Sequence, residues 1–239
     1  RGHGKCRKRW IDALDRLAPP KAEQIDWLAH PAHVRDGQSA RAVGEFHAPP
    51  LSLLGGSEAQ KAVVTESVAR HAAARAAHDM LLWGSRGMGK SALLRSAILA
   101  AQAEAPERIA LVQVAPDALA SLAALFTALR SVARQFLVYI DDLGFEDGDS
   151  TGPRALRSWL EGGVEARPDN VRIAVTSNRR AIVARHLSEQ DDPINPRDAV
   201  DDRLALADRF GLSIGFHNCS QDDYLSIIEG YTQRHGLAW

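Results

Sequence analysis

The sequence feature that most constrains the fold is the eight-residue segment 84–91. It matches the phosphate-binding pattern G-x-x-x-x-G-K-[ST], and its residues are Gly84, Ser85, Arg86, Gly87, Met88, Gly89, Lys90 and Ser91. An apolar run at 80–83 precedes it and an apolar-rich stretch at 92–99 follows it, which predicts a strand, a loop and a helix in that order. In that arrangement the backbone N–H groups of the loop and the amino end of the helix can face the same anion.

The loop predicts a site for nucleotide phosphates and a divalent cation. Glycines allow the backbone to curl around the phosphates. We expect Lys90 to reach the β- and γ-phosphates and Ser91 to ligate magnesium.

Composition limits the class of protein. With 239 residues, of which 45% are hydrophobic, the chain suffices for one α/β domain and a small appendage. Its net charge of −1 argues against a molecule that attracts nucleic acid through overall charge. Cys6 and Cys219 are too far apart to predict a disulfide framework, which favours a reduced, cytoplasmic setting, and no apolar run is long enough to predict a membrane partner.

Strands and helices alternate after the loop, which predicts a parallel sheet with helices on both faces. We predict five strands, at 80–83, 109–114, 136–140, 171–176 and 212–216. The predicted parts of the chain are a helical segment with a linker at 1–50, a nucleotide-binding domain at 51–217 and a last helical part at 218–239. That last part begins with a capping box at Ser220 to Asp223.

Acidic and amide side chains follow two of the predicted strands. The third strand ends in Asp141 and Asp142, where a carboxylate at the strand end can hold magnesium beside the loop. We assign magnesium to Asp141 and activation of the attacking water to Asp142, with Glu146 as an alternative base. Asn178 ends the fourth strand, where its amide could hold that water or the γ-phosphate.

The order of these motifs, ending in Asp208-Arg209-Phe210, resembles that of the AAA+ ATPases. More narrowly, the chain resembles a bacterial AAA+ family described as domain of unknown function 815. The resemblance covers roughly residues 50–236, and it rests on Leu54–Gly56, Gln60–Lys61, Leu81–Gly87, Asp141–Glu146, Leu160–Asn170, Thr176–Arg180 and Ala207–Leu212.

The resemblance implies an AAA+ P-loop fold with the sheet order 5-1-4-3-2, and ATP with Mg²⁺ rather than GTP. It implies that Asn178 occupies the sensor 1 position. It further implies that Arg209, with Arg203 as a second candidate, reaches the γ-phosphate held by a neighbouring subunit, so that a ring or filament of identical subunits is expected. The family has a helical lid after the fifth strand, of which 218–239 could form only the first helix.

Two functions fit these observations. The first is an oligomeric ATPase whose nucleotide cycle remodels a protein or nucleic-acid client, and Asn178 and Arg209 favour it. The second is a module that binds ATP or ADP, loads or tethers a partner and hydrolyses ATP weakly or not at all. Asp142 and the short lid segment favour the second slightly. Many ATPases of this type have the longer Glu in place of Asp142.

Overall fold

A seven-stranded sheet organises the part of the chain that the computed structural model describes, which comprises residues 25–37, 39–143, 151–162, 166–178 and 206–237. Its strands are β1 (Ala32–Asp36), β2 (Ser39–Val43), β3 (Met80–Gly84), β4 (Ile109–Val114), β5 (Gln135–Ile140), β6 (Val171–Ser177) and β7 (Leu212–Phe216). They lie in the order β2-β1-β4-β5-β6-β3-β7. All neighbouring pairs are parallel except β1 and β2.

The prediction of a wholly parallel, five-stranded sheet is therefore wrong in the number of strands and in the antiparallel pair of β1 and β2. The five predicted strands keep the order 5-1-4-3-2 relative to one another, as β7-β3-β6-β5-β4. The hairpin of β1 and β2 extends the sheet beyond β4, where a helical segment and a linker were predicted. The described residues before β1 form turns, and residues 1–24 of the predicted helical segment lie outside the described residues.

Five helices flank the sheet within the described ranges. They are α1 (Glu58–Ala72), α2 (Lys90–Glu104), α3 (Leu122–Leu129), α4 (Thr151–Glu161) and α5 (Gln221–His235). Short 3-10 segments at Leu51–Leu53 and Pro116–Ser121 complete the elements. None of these helices combines the length and the apolar character that a membrane crossing requires.

The central strands β3, β4, β5 and β6 are buried on both faces, as their apolar sequences predict. On one face Val64 of α1 and Leu93 of α2 pack against strand side chains such as Leu82. On the other face Phe126 of α3 and Leu156 of α4 pack against residues of β4, β5 and β6. The helices thus hold the central strands in place, and the carboxyl ends of β3, β5 and β6 come together beside the start of α2.

The last described helix, α5, begins with the predicted capping box. The Ser220 hydroxyl accepts a hydrogen bond from the Asp223 N–H, and the Asp223 carboxylate accepts one from the Ser220 N–H at 3.1 Å. Its side chains Tyr224 and Tyr231 are exposed, and Ile227 and Ile228 are only partly buried. The three-part division at residues 50 and 217 remains a prediction.

Candidate nucleotide-binding site

The loop after β3 has the backbone shape that its glycines predict. Gly87 and Gly89 have φ angles of 81° and 78°, in the left-handed region that favours glycine, and no atom lies within 4 Å of a Cβ built on either residue. Gly89 also caps α2, whose first turn has no side-chain cap. The free N–H groups of that turn are thus available to an anion beside the loop.

Gly84 contributes to this site through packing. Its φ is 135°, and a Cβ built there would lie 2.0 Å from the carbonyl oxygen of Phe216 on β7. Met88 packs partly against the core, whereas Arg86 is exposed. The loop residues assigned to nucleotide binding therefore divide into those that shape the backbone and those that offer polar groups.

Lys90 is buried, and its ammonium donates three hydrogen bonds. The acceptors are the carbonyl oxygens of Gly84 at 3.0 Å and Ser85 at 2.8 Å, and Oδ1 of Asn178 at 3.0 Å. All three acceptors are neutral. Burial lowers the pKa of Lys90, and the nearby charges of Asp142 and Asp141 oppose that shift.

Asp141 lies at the end of β5 and accepts hydroxyl hydrogen bonds from three elements. The donors to its Oδ1 are Ser91 at 2.7 Å, Thr176 at 2.7 Å and Tyr139. Burial opposes ionisation of Asp141, but these hydrogen bonds outweigh it and lower the pKa of the carboxyl group. Burial and the contact with Asp141 raise the pKa of Tyr139, so that its phenol remains a donor.

Asp142 has a positive φ of 50°, which is rare for a residue other than glycine but is tolerated by Asp. Its N–H donates to the Thr176 hydroxyl at 2.9 Å, and its Oδ1 accepts a hydrogen bond from the Asn178 amide. Asn178 therefore contacts both Lys90 and Asp142, because β6 lies between β3 and β5 in the sheet.

The structure thus brings together Lys90, Ser91, Asp141, Asp142 and Asn178, and the roles assigned to them remain predictions. Arg209 lies elsewhere: its Nη2 is 3.1 Å from Oε1 of Glu161, and nearly half of its side chain is exposed. Glu146 and Arg203 lie outside the described residues.

Two contributors, Tyr139 and Thr176, were missed by the sequence interpretation. Tyr139 stands two residues before Asp141 in the same strand, and alternate residues of a strand share a face. Thr176 stands at the end of the neighbouring strand. Both residues could have been found from the sequence, Tyr139 from the alternation of side chains along its strand and Thr176 from the parallel alignment of the two strand ends.

The donor set suits magnesium bound together with a nucleotide. Among the described residues, no group of three or more His, Cys, Asp or Glu side chains could hold a metal ion by itself. A hydroxyl and one carboxylate, as offered by Ser91 and Asp141, match the way Mg²⁺ binds, since it keeps several waters and takes further ligands from phosphates.

Comparison with known families identifies the chain. The model of the family described as "Protein of unknown function (DUF815)" matches residues 26–239. The chain belongs to this family. A search of curated proteins found no match.

Solved AAA+ ATPases share the fold of this DUF815 chain. Orc1 of Aeropyrum pernix, solved in complex with DNA, is 14% identical with a TM-score of 0.55, covering 77% of this chain and 53% of that chain. Domain III of the Thermotoga maritima replication initiation protein DnaA is 17% identical with a TM-score of 0.50, covering 79% and 75%. A point mutant of Thermotoga maritima RuvB is 17% identical with a TM-score of 0.50, covering 80% and 56%.

These similarities support an α/β fold like that of the P-loop NTPases. The DUF815 chain spans only about half the length of the RuvB and Orc1 chains it matches. At such low identity the likeness concerns the fold alone.

Proposed function

We propose that this DUF815 chain binds ATP with Mg²⁺ and hydrolyses it within an oligomer, in order to remodel a protein or nucleic-acid client. The observation that carries the proposal is the meeting of Lys90, Ser91, Asp141, Asp142 and Asn178 at the carboxyl end of three adjacent parallel strands. These are the groups that phosphoryl transfer requires: a cation for the phosphates, ligands for magnesium, and polar groups for the attacking water.

Lys90 and the loop would hold the phosphates. The hydrogen-bond acceptors of the lysine ammonium are all neutral, and a polyphosphate would give it a direct anionic partner. The Ser91 hydroxyl and the Asp141 carboxylate would hold Mg²⁺, which when bound would withdraw charge from the phosphate oxygens.

Asp142 and Asn178 would handle the attacking water. The Asn178 amide already donates to Oδ1 of Asp142, so the two side chains form one polar unit beside Lys90. In this unit Asn178 orients the water and the Asp142 carboxylate accepts its proton.

Arg209 would complete the site of a neighbouring subunit. It is exposed, and its partner Glu161 also accepts a hydrogen bond from Nε of Arg157 at 2.8 Å. When Arg209 leaves, Arg157 still compensates the charge of Glu161. An arginine delivered in this way stabilises charge on the transferred phosphoryl group, with an effect of ~10³–10⁵ on the rate.

A second candidate is a nucleotide-dependent binding or loading module with weak or no hydrolysis. The contacts of Asn178, as distinct from its place in the motif, favour this candidate, because its amide oxygen already accepts from Lys90 and its amide nitrogen already donates to Asp142. Asp142 is also one methylene shorter than Glu. Turnover of bound ATP distinguishes the two candidates.

The first experiment tests nucleotide binding with Lys90→Ala. We expect this variant to lose at least about 100-fold in ATP affinity by calorimetry, equal to about 2.7 kcal/mol, while circular dichroism shows an intact fold. Lys61→Ala is a matched control, since it removes the same charge from α1, where Lys61 pairs with Glu58 at 2.8 Å. Equal affinity in Lys90→Ala and Lys61→Ala would refute the proposal.

Lys90→Ala also helps to test whether Arg209 acts on the nucleotide of a neighbouring subunit. Arg209→Ala should bind ATP but lose the rise of turnover per subunit with protein concentration. Mixed with Lys90→Ala, it should regain part of its activity, because the Lys90→Ala subunit offers an intact arginine to an intact pocket. A mixture that stays inactive although mixed oligomers form, or a fully active dilute monomer, would leave Arg209 as a salt-bridge residue only.

A further inference from the structure

Three hydroxyl groups converge on a single carboxylate oxygen, Oδ1 of Asp141. They belong to Tyr139 of β5, Thr176 of β6 and Ser91 of α2. No hydrogen bond from the described residues reaches Oδ2. One oxygen of this carboxylate is thus fully engaged by the protein, and the other remains available as an acceptor.

The sheet geometry explains why these hydroxyls meet. Tyr139 and Asp141 are two residues apart on β5 and therefore project to the same face. Ile140 of β5 pairs with Val175 of β6, so that Thr176 stands level with Asp141 on the neighbouring strand. The start of α2 lies over this face and supplies Ser91.

We propose that Tyr139 and Thr176 are positioning residues that orient the Asp141 carboxylate for Mg²⁺, by saturating Oδ1 and leaving Oδ2 for a water of the cation. This inference rests on the proposed function, in which Ser91 and Asp141 hold Mg²⁺. Of the three hydroxyls, that of Ser91 would exchange Asp141 for the cation, whereas those of Tyr139 and Thr176 would keep Asp141 as their partner.

Ser91 is the hydroxyl that must exchange. Its hydroxyl group now donates to Asp141, and in the loaded site the oxygen of that group would face the cation. Tyr139 and Thr176 would then remain as the groups that keep the carboxylate from rotating. Outer hydrogen bonds of this kind typically contribute 10- to 100-fold to metal affinity.

Tyr139 has a buried hydroxyl group whose hydrogen-bond partner is Asp141. Its side chain is completely buried in the apolar core between the sheet and α2, where phenylalanine would fill the same space. A buried phenol needs a hydrogen-bond partner, and the partner here is Asp141. The hydroxyl therefore serves the carboxylate rather than the core.

Thr176 links the two acidic residues. Its hydroxyl donates to Oδ1 of Asp141 and accepts the N–H of Asp142, and its carbonyl oxygen accepts the N–H of Leu143 at 2.8 Å. One side chain thus fixes the direction of the Asp141 carboxylate and the turn at Asp142. Its loss should affect the two positions together.

The test measures how far Mg²⁺ tightens the binding of a fluorescent ADP analogue, compared with binding in EDTA. We expect Tyr139→Phe and Thr176→Val to reduce the tightening by Mg²⁺ about 10-fold each, while affinity in EDTA changes less than about twofold. Thr176→Ser should restore the wild-type tightening, because it keeps the hydroxyl. Tyr224→Phe, which alters an exposed tyrosine of α5, should behave as wild type.

The outcomes separate this inference from the proposed function. Wild-type tightening by Mg²⁺ in Tyr139→Phe would overturn the inference, and loss of affinity in Lys90→Ala would still uphold the proposed function. Equal losses with Mg²⁺ and in EDTA, or failure of Thr176→Ser to restore tightening, would show a merely structural role. A wild-type chain that binds no nucleotide would overturn both.

Discussion

Two polar clusters occupy opposite ends of the same sheet. The carboxyl-end cluster consists of Lys90, Ser91, Asp141, Asp142 and Asn178. Its groups contact one another and the loop that carries them. Some hydrogen bonds of this cluster could be exchanged for bonds to a nucleotide, such as those from Lys90 to the loop carbonyls. The hydrogen bonds of the hydroxyl groups to Asp141 are set apart from these.

The amino-end cluster consists of His71, Asp79, Arg134, Arg167 and Arg172, beside the starts of the parallel strands. Both oxygens of Asp79 are engaged, one by the N–H of Ile173 at 2.7 Å and the other by the Arg167 guanidinium. The side chains of the amino-end cluster contact main-chain atoms or charged side chains of segments that are distant in sequence. These contacts hold those segments against the sheet.

The comparison shows that burial of charge does not by itself indicate function. Lys90 and Arg134 are 5% and 4% exposed, yet only Lys90 directly follows the glycine loop that was predicted to bind phosphates. Backbone strain is the second difference, since Asp142 has a positive φ, a feature that often accompanies functional sites. We therefore expect changes in the carboxyl-end cluster to alter chemistry, and changes in the amino-end cluster to alter stability.

The largest expected effect is that of Asp142→Asn on hydrolysis. Asparagine tolerates a positive φ and can still accept the hydrogen bond from Asn178, so the fold and ATP affinity should be retained. It cannot serve as a base, so turnover should fall by ~10²–10⁴. Single-turnover hydrolysis measures the loss of turnover, and thermal unfolding of the same preparation measures whether the fold is retained.

Glu146→Gln is the companion variant for that experiment. Normal turnover in Asp142→Asn combined with a large loss in Glu146→Gln would transfer the role of base to Glu146. A marked loss of thermal stability in Asp142→Asn would place Asp142 among the residues that hold the fold together.

Much of the central sheet could be predicted from the sequence. Strands that are buried on both faces give continuous apolar runs, such as Phe136 to Ile140, and these are visible in a single sequence. The candidate site follows from the same rule, because parallel strands bring their carboxyl ends together. Asp141 and Asn178 could therefore be placed near Lys90 from the sequence alone.

The hairpin of β1 and β2 could not be predicted in the same way. Its strands are short and rich in polar residues, and buried His33 and Arg35 resemble linker residues when only the sequence is considered. Their burial depends on tertiary contacts, such as the hydrogen bond from Nε of Arg35 to the Ser121 hydroxyl at 2.7 Å. Asp36 and Gly37 formed the one local signal, since Asp-Gly favours a hairpin turn.

The second expected effect is a loss of stability in Arg134→Met. The Arg134 guanidinium donates to five carbonyl oxygens, those of Trp27, Leu28, His30, Pro106 and Ile109. Removing it takes a shared donor from acceptors that are mostly partly buried, partly offset by the removal of a buried charge, and should lower the free energy of unfolding by about 3 kcal/mol.

Urea unfolding measures this loss, and nucleotide affinity of the folded variant should remain that of the wild type. Arg130→Met is the matched control, because Arg130 is exposed and, among the described residues, its guanidinium donates to a single carbonyl oxygen, that of Ala166, at 2.8 Å. If Arg134→Met were as stable as Arg130→Met but bound nucleotide more weakly, the division between the two clusters would be wrong.

The smallest expected effect is a pH dependence of stability from His71. Burial lowers its pKa to about 4, and the charges of Arg172 and Arg167 act in the same direction, whereas Asp79 and the hydrogen bond to the Phe136 carbonyl oppose the shift. The ordinary pKa of His is about 6.5 in an unfolded chain. The unfolded state therefore binds a proton first as the pH falls, so that this contribution is full above pH 6.5 and is lost toward pH 4.

Between pH 7.5 and pH 5 the wild-type chain should lose about 2 kcal/mol through His71. The difference in free energy of unfolding between wild type and His71→Gln should shrink by that amount over this range, which urea titrations at each pH measure. His47→Gln is the control, since 86% of the His47 side chain is exposed, and its difference from wild type should stay constant. His33 has a pKa lowered by burial and remains in both chains, so it cancels from the comparison. A constant difference for His71→Gln would mean that protonated His71 is accommodated at the amino-end cluster, and that this cluster is less rigid than its contacts imply.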